Sequence, residues 1–273
     1  MTWMEALQVI FLGIVEGLTE FLPISSTGHL IVAGAAVHFD GEGADTFFVA
    51  IQAGAILAVC WFYRQRIISI LRNLFRQGKD QRLAVNTVVA FVPAVVAGLL
   101  LAKTIKTYLF NPVTVAVTLI AGGIVILIVE HINIRRAVKP RVEEMDDMTI
   151  KDALGVGCMQ CLALIPGMSR SGATIIGGMV LGLSRRAATE FSFFLSIPTI
   201  FGATVYDLWK NYDSLSVEMG PDILLGGVVS FISAIIVVKW LLGFVSRNDF
   251  RGFGWYRILF GILVLFLVGE TVI

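Results

Sequence analysis

The chain has 273 residues, is 57% apolar and 15% charged, and has a mean hydropathy of +0.85. Soluble domains carry about a quarter charged residues, so this composition excludes an ordinary soluble fold and points to a bilayer. A net charge of +1 and three cysteines offer neither an electrostatic footprint for nucleic acid nor a disulfide framework.

The first basic residue is Arg64, so no charged n-region precedes the opening apolar run and no signal peptide is expected. Residues 2–38 are apolar but broken by "EFLPISSTGHL" at 20–30. The two helical pieces either side of the break are each too short to cross a membrane alone. Irregular backbone at membrane depth is tolerated only in protein or beside a wet cavity. The stretch therefore predicts a re-entrant helix–loop–helix hairpin. Spans needing roughly 20 apolar residues follow at about 45–63, 83–103 and 112–132. A second broken stretch, 152–184, predicts another hairpin, and further spans follow at about 187–208, 223–244 and 255–272. Lys239 and Arg257 interrupt this last set near span ends, where long basic side chains snorkel to headgroups. Cys158 and Cys161 form a lone C-x-x-C in apolar surroundings and read as inert thiols.

Lysine and arginine set the orientation, because cytoplasmic loops hold them in excess. Residues 64–82 carry six basic residues, and 133–152 carry five beside five acids. Both are expected in the cytoplasm, as is the segment around Arg247, Arg251 and Arg257. Residues 207–222 hold one Lys and four acids, and 1–63 hold no Lys or Arg; both are expected outside. Tracing six spans through these loops brings the first hairpin in from the outer face and the second from the cytoplasmic face. Each hairpin precedes three spans, and the two sets run in opposite directions. "LPISSTGH" answers to "IPGMSRSGAT", and "DTFFVAIQAGAILA" loosely to "TEFSFFLSIPTIFGA". The expected architecture is an all-α integral membrane protein with six transmembrane helices, two re-entrant hairpins and an inverted-topology repeat. Residues 1–132 and 150–273 form the halves of one membrane domain. Such repeats are common in secondary transporters, so a transporter or flippase of a phosphorylated lipid is the rival reading. One half supplies acids and a histidine and the other an arginine, an asymmetry that suits a reaction centre.

Glu16 and Glu20 are four apart, which puts both carboxylates on one helix face. Intramembrane acids at that spacing suit a shared proton or a divalent cation. Ser25, Ser26 and Thr27 follow Pro23 and suit helix capping. Ser26, His29 and Glu20 together offer a nucleophile, a base and an orienting carboxylate. In the second hairpin Ser169–Thr174 opens a helix whose free N–H groups favour an anion, and Arg170 adds a planar fork for phosphate oxygens. An internal ion pair between Arg170 and Glu16 or Glu20 is the competing use of that guanidinium. Gly167 and Gly172 are expected to let backbone approach a ligand. An oxyanion cradle facing a carboxylate–hydroxyl–imidazole cluster suggests phosphoryl chemistry on a membrane-borne substrate.

At "EGLTEFLPISSTGH" and "PGMSRSGAT" the chain resembles the undecaprenyl-pyrophosphate phosphatase family, the bacitracin-resistance membrane phosphatases. The E-x-x-x-E spacing, the Ser-Ser and His, and the PG-x-SRS-x-x-T block are all present. The resemblance implies hydrolysis of C55-isoprenyl diphosphate to the monophosphate lipid carrier, with a divalent cation (Mg²⁺ or Ca²⁺), in the bacterial inner membrane. It implies a site open to the outer face. On this reading Glu20, Ser26, His29 and Arg170 are catalytic. Ser25, Thr27, Ser169, Ser171, Gly172 and Thr174 bind substrate, and Glu16 with Glu20 holds the metal. Ser26 with His29 as base is the favoured arrangement; His29 itself or an activated water are the other nucleophiles. A homodimer is compatible with this reading, and no nucleic-acid partner is expected.

Overall fold

Hydrophobic side chains cover the outside of this protein. Leu99, Leu100, Ile236 and Phe266 are all more than 60% exposed. Glu16, Glu130, Thr174, Ser192 and Ser230 are fully buried. That inversion is what a bilayer imposes, since lipid accepts apolar faces and every polar group must be satisfied inside. The computed structural model describes residues 2–39, 43–137, 139–210 and 219–271.

Eleven α-helices run in chain order among the described residues: α1 Trp3–Thr19, α2 Ser26–Ala36, α3 Ala44–Phe62, α4 Arg64–Asn73, α5 Lys79–Tyr108 and α6 Pro112–Arg135, then α7 Ile150–Gln160, α8 Arg170–Val180, α9 Arg185–Lys210, α10 Gly220–Val245 and α11 Arg251–Thr271. Short 3₁₀ turns at Met145–Asp147 and Cys161–Leu164 lie before and after α7. Six helices, α3, α5, α6, α9, α10 and α11, are long and apolar enough to cross a membrane. They coincide with the six expected spans. Position 272, the end expected for the last span, lies outside the described residues, as do 211–218 of the acidic loop.

The two broken stretches form helical pairs, α1 with α2 and α7 with α8. Each pair packs together, α1 against α10 and α7 against α5. Small residues permit these close approaches. A Cβ on Gly17 would meet the backbone of Ser230 and Ala234, and one on Gly157 the backbone of Ala90. The most extensive remaining contacts join α6 with α11, α3 with α10 and α3 with α9.

Helix α4 differs from the expectation of a plain basic loop. It is amphipathic, with Arg64, Arg66 and Arg72 on a helix that also exposes Ile68 and Leu71. Its base is tied by Arg66 to Asp80 at 2.9 Å and to Asp146 at 2.5 Å. Counting charges does not reveal a helix whose apolar residues are spaced for an interface.

Arg257 also differs from expectation. It does not snorkel: it is 1% exposed and donates to five backbone carbonyls. Leu119 and Thr118 belong to α6, Pro23 to the turn after α1, and Gly167 and Met168 to the turn before α8. The guanidinium has five N–H donors in a planar fork, and one residue of α11 thereby joins both hairpin turns to α6.

Candidate active site

The two turns between paired helices share an unusual backbone. Ser25 has φ 72° and Ser169 φ 70°, a left-handed conformation that costs a non-glycine residue about 1–3 kcal/mol. Each serine caps an eleven-residue helix. Ser25 Oγ accepts from the Gly28 N–H at 3.4 Å, and Ser169 Oγ from the Gly172 N–H at 3.1 Å. The remaining first-turn N–H groups of α2 and α8 have no partner within their own helices.

The turns bring the two signature stretches into contact. Ser26 Oγ donates to Glu20 Oε2 at 2.5 Å. The other carboxylate oxygen of Glu20 accepts from Arg170 Nη2 at 3.0 Å. Arg170 Nη1 also donates to the Ser192 carbonyl at 2.9 Å, and its guanidinium lies over the Phe21 ring. The sequence disfavoured an Arg170–Glu20 ion pair, yet it forms, with both side chains about nine-tenths buried. The arrangement can move a proton from a serine hydroxyl to a carboxylate held in register by a cation.

His29 lies apart from that chain. Its Nδ1 is 2.7 Å from the Ser25 carbonyl, and its Nε2 is 2.7 Å from the Tyr256 hydroxyl. The ring stacks on Phe260 with centroids 4.2 Å apart. Both nitrogens are engaged away from Ser26, whose hydroxyl bonds Glu20 and not the histidine favoured from spacing. Three residues on a helix put side chains near one another, but the positive φ at Ser25 turns Ser26 back toward α1.

Glu16 and Glu20 lie one helical turn apart as predicted, with Glu20 continuing the α1 backbone as its C-cap. Glu16 is fully buried and neither carboxylate oxygen has a hydrogen-bond partner. A buried carboxylate beside a second one fits a cation, or a proton shared between the two. Among the described residues no cluster of three or more His, Cys, Asp or Glu side chains is placed to hold a metal, so substrate oxygens would have to complete the coordination.

Ser171 Oγ donates to the Leu22 carbonyl at 2.6 Å and joins the two turns. Thr174 is fully buried and shares a hydrogen bond with Ser192 at 2.7 Å, behind Arg170. Gly167 lines a cavity beside the cluster, while the Cβ directions of both Gly167 and Gly172 meet protein. A Cβ on Gly172 would meet Arg257 at 2.9 Å, and one on Gly167, at φ 86°, would strike the Val115 backbone. The cavity, of about 240 Å³, is lined as well by Glu20, Ser25, Ser26, Thr27, Ser169 and Arg170. Gln52, Gln160 and Thr199 also line it. These three and Tyr256 were not picked out from the sequence, where a lone polar residue in a span carries no motif.

A family model described as bacitracin resistance protein BacA matches residues 9–263. The chain is 56% identical to undecaprenyl-diphosphatase 1 of Paraburkholderia xenovorans, over 99% of this chain and 98% of that protein. It is 53% identical to the undecaprenyl-diphosphatase of Cupriavidus metallidurans, over 98% and 97% of the two chains. With the undecaprenyl-diphosphatase of Nitrosomonas europaea it shares 54% identity over 97% and 95%.

Proposed function

The chain belongs to the family of bacitracin resistance protein BacA, and from that membership we propose that it hydrolyses undecaprenyl diphosphate to undecaprenyl phosphate and inorganic phosphate. It is an integral-membrane phosphatase of the inner membrane, and it returns a lipid carrier to cell-wall polymer synthesis. The observation that carries the chemistry is the chain of contacts from Ser26 through Glu20 to Arg170. A hydroxyl, a carboxylate that accepts its proton and a cation suited to phosphate meet there at one cavity.

Arg170 turns from Glu20 toward the terminal phosphate as the head group enters, and the free N–H groups opening α2 and α8 bind its oxygens. Ser26 Oγ attacks the terminal phosphorus while Glu20 takes its proton. The bond from that phosphorus to the bridging oxygen breaks, and Glu20 passes the proton to the departing lipid phosphate. Water then attacks the phosphoserine, giving a proton to Glu20. Inorganic phosphate leaves, and the proton returns to Ser26. Glu16 with Glu20 would hold a divalent cation, which when bound would neutralise phosphate charge.

We read the architecture as an inverted repeat of residues 1–132 and 150–273 with two re-entrant hairpins. Pairing α1 with α7, α2 with α8, α3 with α9, α5 with α10 and α6 with α11 maps α1–α10 onto α5–α7 and α1–α2 onto α7–α8, and leaves α6–α11 and α3–α9 unchanged. The matched positive-φ serines support the same pairing. The basic loops support a first hairpin that enters from the outer face, with the site open on that side.

Phosphate release from undecaprenyl diphosphate by the purified protein, with and without EDTA, tests the activity. Release that EDTA suppresses is expected. No release, with lipid moved between leaflets of a vesicle, would replace the phosphatase by a flippase.

A further inference from the structure

The cavity has a polar wall that this chemistry leaves unused. Gln160 ends α7, is 2% exposed and lines the cavity, yet its Nε2 has no hydrogen-bond partner. Its Oε1 lies 3.4 Å from Thr199 Oγ1 on α9. The one proton of the Thr199 hydroxyl is shared between that oxygen and the Leu195 carbonyl at 2.7 Å. Thr199 thus meets the amide at its oxygen, and the amide N–H groups are left without a partner. Buried side-chain donors in packed interiors are normally paired, and an apolar residue would fill this place without leaving a donor.

Position adds a second observation. Gln160 lies nine residues before Ser169, as Glu16 lies nine before Ser25. Beside one positive-φ serine stands an unpartnered acceptor, and beside the other an unpartnered donor. An unpartnered buried donor calls for an anion or a carbonyl as guest. The two phosphates of a diphosphate share an oxygen, so when one is at Ser26 and Arg170 the other lies close beside it, and Gln160 lines the same cavity.

We propose that Gln160, steadied by Thr199, donates to the phosphate that stays on the lipid, and so selects a diphosphate over a monophosphate. This rests on the phosphatase reading above. A neutral amide binds that phosphate without the full charge that would retain the product.

The test uses the full-length protein in detergent with Gln160→Leu and Gln160→Glu. The probes are undecaprenyl diphosphate as substrate, and inorganic pyrophosphate and orthophosphate as competitors. In Gln160→Leu the KM for the lipid and the inhibition constant for pyrophosphate should each rise about tenfold, as for loss of one hydrogen bond to a charged oxygen, with orthophosphate changed less than about twofold. Gln160→Glu should weaken pyrophosphate further, and it carries the test if the leucine variant does not fold. Pyrophosphate binding that is unchanged, or that weakens in step with orthophosphate, would overturn the proposal. Should the wild type release no phosphate from the lipid, the phosphatase reading fails by itself. Calorimetric titration with pyrophosphate and orthophosphate still reads the same contrast between wild type and variants.

Discussion

Glu20 is the residue on which the two halves of the site converge, with Ser26 on one oxygen and Arg170 on the other. Glu20→Gln keeps the shape and removes the base. Phosphate release should fall by about 10²–10⁴-fold, the usual share of a positioned general base. A fall of only a few fold in a steady-state assay would return the base role to His29. Arg170→Lys should recover little of what Arg170→Ala loses, because an ammonium cannot bond Glu20, Ser192 and phosphate in one plane. Near-normal rates in the lysine variant would dismiss the planar cradle. These residues were legible in the sequence by type, since acids and an arginine in an apolar run are costly and persist only for a use. Their pairing was not legible. Which partner Ser26 takes depends on a backbone dihedral at Ser25, and dihedrals leave no periodic trace.

At the scale of elements, the turns are held by contacts between residues far apart in the chain. Gly167 sits at φ 86° with Val115 and Thr118 standing where a Cβ would go. Gly167→Ala should destabilise by more than the ~1 kcal/mol of a strained backbone alone, because the added methyl also strikes α6. A thermal unfolding scan in detergent that matches the wild type would refute this packing. Glu130 is fully buried and takes both Arg185 nitrogens and the Phe250 N–H, so it clamps the start of α9 to the turn before α11. Glu130→Ala should cost about 1–3 kcal/mol, because the buried Phe250 N–H loses its acceptor while Arg185, 31% exposed, can turn to solvent. An unfolding midpoint unchanged from wild type would show the clamp to be idle. Neither contact was visible in the sequence. Helix spans announce themselves through 20-residue hydropathy, whereas Arg257 looked like a headgroup anchor because its partners lie 89 to 234 positions away.

For the whole molecule, the six spans and the broken helices were readable because a bilayer imposes length and composition together. Sidedness came from lysine and arginine counts, and it is open to measurement. A cysteine at Phe110, in a background without native thiols, should react with an impermeant maleimide on intact cells. One at Gly78, whose Cβ would meet no neighbour, should react only after lysis. The reverse pattern would turn the protein over and put the site on the cytoplasmic side. The five carbonyls gathered by Arg257 have a kinetic meaning as well. A carrier with alternating access must shear its halves past one another in every cycle. Here movement of residues 1–132 against 150–273 would pull the Pro23, Thr118 and Leu119 carbonyls from a buried guanidinium of the other part, at about 1–3 kcal/mol for each group left bare. A molecule riveted in this way is poorly suited to rock, and well suited to hold still while a bond is broken inside it.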